Sequence, residues 1–109
     1  MPKVILEKLT KDEIEKRKIK TWPIWEKDVS RFDWFYDNDE ECYILEGEVV
    51  VKTDEGDYTV RAGDFATFKK GLKCVWNIKK GIRKHYNFRQ GGILNERQKG
   101  FGKVYKEGD

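Results

Sequence analysis

The sequence predicts an all-β fold, a sandwich or barrel, and three observations carry that prediction. Short segments rich in aromatic and β-branched residues recur at regular spacing, with turn signals between them. Within these segments apolar and polar residues alternate with a period of two, most sharply from Ile82 to Arg89. No alternation of helical and strand patterns follows Pro23, which argues against an α/β fold, and no internal repeat is present.

Taken in order, Lys3 to Leu9 reads as a short strand or extended arm. Thr10 and Glu13 have capping-box spacing and open a helix predicted to run to about Ile19. Ile14 and Ile19 give that helix only a thin apolar stripe, so it is expected on the surface of the body or against a partner chain. Pro23 stops any helix, and Thr21 to Trp25 reads as extended because the residue before a proline avoids the α region. From Arg31 to Tyr36 a strand is expected, with Phe32, Trp34 and Tyr36 on one face. Asp37-Asn38-Asp39 forms a turn, and a long strand follows from Glu40 to Lys52, bent at Gly47. Its period of two places Glu40, Cys42, Ile44 and Glu46 on one face.

Asp54-Glu55-Gly56-Asp57 has hairpin composition and leads into a strand from Tyr58 to Arg61. After a turn at Ala62-Gly63-Asp64, Phe65 to Phe68 is a short strand and Lys70-Gly71 a turn. Leu72 to Ile78 is the next strand, Lys79-Lys80-Gly81 is read as a turn, and Ile82 to Arg89 returns with Ile82, Lys84, Tyr86 and Phe88 on one face. Arg83, His85, Asn87 and Arg89 then share the polar face, which makes His85 solvent-facing or subunit-facing. Residues 90–109 form a polar, glycine-containing tail, either a flexible end or an arm on another subunit.

The 109 residues are one domain's worth, and 38% hydrophobic content with four Trp, five Tyr and six Phe fills one compact core. Basic and acidic side chains number 23 and 20, so the net charge of +3 reflects a mixed, solvated surface; neither nucleic acid nor a membrane is expected as a partner. The N-terminal apolar run at Val4-Ile5-Leu6 is too short for a signal peptide or a membrane span, and a cytoplasmic location is expected. Cys42 and Cys74 lie in predicted strands without Cys-x-x-Cys spacing and are expected as free thiols.

Two blocks carry a family resemblance. Trp34-x-Tyr36, Glu40 and Gly47 keep the spacing of the first cupin motif, in which a His-x-His pair precedes a Glu and then a Gly; Gly63, Lys69, Gly71 and Cys74 fall on the places of the second. Together with Phe32-Asp33-Trp34 and Lys84-His85-Tyr86, the chain resembles small single-domain cupins of the ureidoglycine aminohydrolase and ethanolamine-utilisation type. The resemblance covers roughly 22–89. It implies a cupin jelly-roll β-barrel over 22–89, preceded by an arm and short helix over 1–21 and followed by the tail over 90–109, and a homodimer.

In metal-binding cupins the two His, the Glu and the later His hold a divalent ion; by position those places here are Trp34, Tyr36, Glu40 and Cys74. Indole is no metal ligand and phenol is a poor one near neutral pH. Zinc sites need at least three protein ligands, so no metal and no other cofactor is expected, although His85 or Cys42 beside Glu40 and Cys74 would be the residues to complete a set.

What remains is a pocket with a changed occupant. Trp34, Tyr36, Cys74 and Trp76 line it as substrate-binding residues, with Glu40 as the acid at its end, an arrangement suited to an amine or ureido metabolite through a carboxylate contact and cation–π attraction. The competing reading has the same aromatics as plain core. If Lys84 points inward, Glu40 or Glu46 is its expected partner, and Glu40 with Lys84 becomes the candidate catalytic pair; otherwise its ammonium reaches the rim. Whether the protein is an enzyme stays open at this point, the alternative being a non-catalytic ligand-binding or accessory module. A Cys74–His85 nucleophilic pair would need both on one face, and the alternation puts them on opposite ones.

Overall fold

The computed structural model describes residues 3–88. Its strands are β1 (Val4–Glu7), β2 (Ile24–Lys27), β3 (Ser30–Phe35), β4 (Glu40–Thr53), β5 (Gly56–Arg61), β6 (Phe65–Phe68) and β7 (Lys73–Phe88), with one helix, α1 (Lys11–Lys16), and a 3-10 turn at Ile19–Thr21. The all-β prediction holds. The strands form one seven-stranded sheet folded over on itself in a jelly-roll-like way, without closing into a continuous hydrogen-bonded barrel among the described residues.

Two long strands are its axis. β4 and β7 run antiparallel, from Glu40 opposite Phe88 to Lys52 opposite Val75. Each half of the pair has its own flanks. On the first half of β4 lies β6, with β1 beyond it, and on the second half of β7 lies β2. The other leaf is made by β5 on the second half of β4 and β3 on the first half of β7. Folding the two leaves together buries Cys42, Ile44, Ala66 and Phe68 against Val49, Val51, Trp76 and Ile78.

The fold line lies where the register between β4 and β7 shifts, between Ile44 and Val49. Gly47 sits there with φ of 99°, and a Cβ on it would stand 2.1 Å from the Gly81 carbonyl oxygen. The backbones of β4 and β7 thus pass so closely that no side chain fits between them. This corrects the turn expected at Lys79-Lys80-Gly81: those residues continue β7, and Gly81 permits close approach of two strands rather than reversal of one. The same irregularity moves Glu46 off the face of Glu40, Cys42 and Ile44, so that Glu46 is exposed.

The N-terminal segment covers the outside of the first leaf. Thr10 Oγ1 accepts from the Glu13 N–H at 3.1 Å and Glu13 Oε1 accepts from the Thr10 N–H at 2.8 Å, the reciprocal capping bonds the sequence predicts. Those bonds hold the Glu13 carboxyl below its usual range, the Thr10 backbone N–H contributing most. The helix ends earlier than expected, because Lys18 takes a left-handed conformation, φ 53°, and swings Ile19 into full burial. Trp22 then packs on Phe65 at 6.3 Å between ring centres, and the Arg17 guanidinium lies 5.1 Å above the same ring. No helix among the described residues is long and apolar enough to cross a membrane. The tail over 90–109 lies outside the described residues.

Candidate functional site

The inward face of β7 places Lys84 in the interior between the leaves. Register pairs it with Ile44 of β4 on one side and Trp25 of β2 on the other. Its ammonium donates to Glu40 Oε2 at 3.0 Å, and both side chains are almost completely buried. Trp25 and Trp76 each present a ring 4.7 Å from the Lys84 nitrogen, with the two indoles nearly perpendicular at 82° and 5.9 Å between centres. The ammonium therefore sits in the angle of two indoles and against a carboxylate. Burying such a charge is costly unless it is paired, and here one anion and two negative ring faces meet it.

Aromatic stacking connects this centre to the remaining predicted residues. Phe32 stacks on Trp76 at 6.2 Å, and Phe68 joins Trp76, at 5.9 Å, to Tyr36, on which it stacks at 4.9 Å. Trp34 meets Tyr36 and Phe32 edge-on at 6.3 and 6.4 Å. Trp34, Phe32 and Trp25 are only half-buried and form the rim beside the fully enclosed Trp76. The Trp76 indole N–H is itself buried without a hydrogen-bond partner among the described residues. It is near enough to favour negative charge on the Tyr36 oxygen, yet it forms no bond of regular geometry there.

The protonation states follow from burial. Desolvation first, then the charge of Glu40, holds the Tyr36 hydroxyl well above the usual phenol range. Burial pushes the Cys42 thiol up to about 12, and burial followed by Asp33 and Glu40 pushes the Cys74 thiol up to about 12. Cys74 Sγ donates weakly to the Trp34 carbonyl at 3.7 Å. Both cysteines are free, and neither is an activated thiolate.

The four places at which the cupin resemblance implies metal ligands do not fit an ion. Trp34 offers an indole, Tyr36 a protonated phenol, Cys74 a protonated thiol, and Glu40 is already engaged by an ammonium that would repel a second cation. Among the described residues no group of three His, Cys, Asp or Glu side chains could hold a metal.

Glu40, Lys84 and Trp76 are thus brought into one centre, with Tyr36 and Cys74 close by and Trp34 at the rim. Sequence reading missed Trp25, since only the pairing of β2 with β7 sets it opposite Lys84. The expectation for His85 is corrected: it is buried, and its Nδ1 lies 2.9 Å from the Trp22 carbonyl oxygen. Its strand face is polar, but the segment from Ile19 to Pro23 covers that face, and Tyr86 N–H donates to the Pro23 carbonyl at 3.1 Å. Cys74 and His85 stay on opposite faces of β7.

Comparison with known proteins adds the following. The family model described as EutQ-like cupin domain matches residues 14–86. A DUF861 family protein of known structure from Thermotoga maritima is 49% identical with a TM-score of 0.77, and the match covers 79% of this chain and 99% of that one. A DUF861 family protein from Pseudomonas syringae pv. tomato is 25% identical over 61% of this chain and 29% of that one, with a TM-score of 0.55. The EutQ protein of Clostridium difficile shares the fold, at 19% identity, a TM-score of 0.59, and coverage of 83% of this chain and 70% of that one. Among curated proteins none matches the chain.

Proposed function

The chain belongs to the EutQ-like cupin domain family, and from its interior we propose that it is a small-molecule-binding cupin that works without the histidine metal centre of metal-binding cupins. The observation that carries this reading is the buried Lys84–Glu40 contact at 3.0 Å between two indoles, which puts a tethered cation where a metal-binding cupin would gather ligands for an ion. The ligand is a small polar metabolite of the amine or ureido type, admitted past Trp25, Phe32 and Trp34 toward Trp76.

Two forms of this reading differ in chemistry. In the enzymatic form Glu40 acts as general acid or base on a small nitrogen compound and Lys84 holds the proton inventory of the pair. In the binding form the same two groups only orient the ligand. The chain of ring contacts from Phe32 through Trp76 and Phe68 to Tyr36 favours the binding form, because it braces the walls around a centre whose charges are already paired. The homodimer and the cytoplasmic setting belong to the same proposal, supported by apolar Ile5, Leu6 and Ile24 exposed on the outer strands β1 and β2 and by two free thiols.

The test is a titration of tryptophan fluorescence with a panel of small ureido, carboxylate and amine compounds, run on the wild type and on Glu40→Gln. A saturable change in the wild type that weakens in Glu40→Gln supports the proposal. A folded wild type that responds to no member of the panel refutes it. Elemental mass spectrometry on untagged protein purified without chelators supplies the second arm: near-stoichiometric zinc, manganese, nickel or iron would overturn metal independence.

A further inference from the structure

Resting on the binding reading above, we propose that the head group this interior receives is a hydrogen-bond acceptor, a carboxylate or a ureido carbonyl, held between the Trp76 indole N–H, the Tyr36 hydroxyl and the Lys84 ammonium, and not an amine.

Three observations lead there. The first is that the cation position is taken. Glu40 and the faces of Trp25 and Trp76, the groups that would recognise an amine, already surround the Lys84 nitrogen. A second ammonium beside the first meets the repulsion of a like charge in a buried setting where water screens it little. An amine would therefore have to displace Lys84, whose tether keeps its effective concentration high.

The second observation is the unpartnered donor. Trp76 is among the most enclosed side chains, and its Nε1–H is the buried side-chain polar atom left without a partner among the described residues. Leaving such a group unmet is unfavourable, and an acceptor placed against it recovers the lost hydrogen bond. An indole N–H donates only, so whatever completes it must accept.

The third is the character of its neighbours. Tyr36, linked to Trp76 through the Phe68 ring, keeps its phenolic proton and is a donor, since burial opposes the phenolate. Lys84 lies on the face of the same indole. Two neutral donors and one cation around Trp76 form a lining suited to an acceptor and hostile to an ammonium group. A carboxylate is drawn to Lys84 against the repulsion of Glu40, whereas a ureido carbonyl meets the donors without a net charge.

The experiment follows the indole resonances of full-length protein carrying 15N-labelled tryptophan. Four tryptophans give four Nε1–H signals. Trp76→Phe removes the one of interest, and where that variant does not fold, Trp22→Phe, Trp25→Phe and Trp34→Phe assign it by elimination. Acetate, N-carbamoylglycine and ethanolamine are then titrated at matched ionic strength. The expected result is a saturable downfield shift of the Trp76 signal with acetate or N-carbamoylglycine, none with ethanolamine, and at least tenfold weaker acetate binding in Lys84→Met. A Trp76 signal moved by ethanolamine and not by the acceptors overturns the assignment of ligand class while leaving interior binding intact. Silence of the Trp76 signal toward all three probes in folded protein, with the N–H met by a bound water alone, overturns this inference; a fluorescence response to other panel members would then preserve the binding reading.

Discussion

Lys84→Met is the most informative single substitution, because it removes the ammonium and keeps most of the stem. In the wild type the ammonium is met by Glu40 at 3.0 Å and by two indole faces at 4.7 Å. Taking one partner from a buried ion pair typically costs about 3–5 kcal/mol, chiefly because the other charge stays in the interior uncompensated. The two cation–π contacts fall within that figure, each being about 1–2 kcal/mol when desolvated. Lys84→Met is therefore expected to lose about 3–5 kcal/mol, and Glu40→Gln to lose a comparable amount by stranding the ammonium. The double variant leaves neither charge, so its loss should be smaller than either single one, giving a coupling energy above about 2 kcal/mol. Urea denaturation followed by far-ultraviolet circular dichroism measures all four corners of the cycle, a readout independent of the tryptophans beside the site. Single variants within about 1 kcal/mol of the wild type, or strictly additive effects, would refute the claim that this pair anchors the interior.

Further outcomes follow from the same structure. Gly47→Ala would put a methyl 2.1 Å from the Gly81 carbonyl oxygen and should cost more than about 4 kcal/mol or prevent folding, whereas Gly63→Ala, with open space and only its positive φ to accommodate, should cost about 1–2 kcal/mol by denaturant titration. The Cys42 thiol, pushed up from 9.0 to about 12, keeps its proton in the folded state while the unfolded chain ionises. Its contribution is thus fully present below pH 9 and lost as pH rises toward 12, by about 1.4 kcal/mol per pH unit, and Cys42→Ala should flatten that slope in urea melts at pH 9 to 11. Neither cysteine should react measurably with a thiol reagent at pH 8 until the protein is unfolded. Sedimentation equilibrium should return twice the 13.0 kDa chain mass, and a chain-mass result across micromolar concentrations would remove the homodimer from the proposal.

Local signals were read well because local chemistry decides them. The capping box at Thr10 and Glu13, the alternation of Phe32, Trp34 and Tyr36, the limits of Phe65 to Phe68, and the bend at Gly47 and turns at Gly56, Gly63 and Gly71 all follow from a residue and its near neighbours. The misreadings arose where a distant strand decides. Gly81 follows two lysines and looks like a turn, but its role depends on Gly47 crossing it from β4. His85 belongs to a polar face by alternation, and it is buried only because Trp22 and Pro23 come to lie on that face. Trp25 carries no local mark of function either, and its place over Lys84 is a matter of the β2–β7 register.

The choice of partner for Lys84 shows why the site was half legible. A period of two makes Glu40 and Glu46 equivalent, both on the face of Cys42 and Ile44. The irregularity around Gly47 breaks that equivalence: Glu46 goes outward, where Arg83 stands 3.8 Å away, and Glu40 alone remains inside. An interior carboxylate needs a cation, and a metal cannot fill the need where indole, phenol and thiol stand at the other ligand places. Lys84 supplies the charge from within the chain. The exchange alters what the interior can do. A metal offers open coordination positions and Lewis acidity, whereas a tethered ammonium offers hydrogen-bond donation and a proton. On the proposed reading the chemistry of this interior thereby moves from coordination toward recognition of acceptors, the same direction in which the Trp76 N–H, unpartnered among the described residues, points.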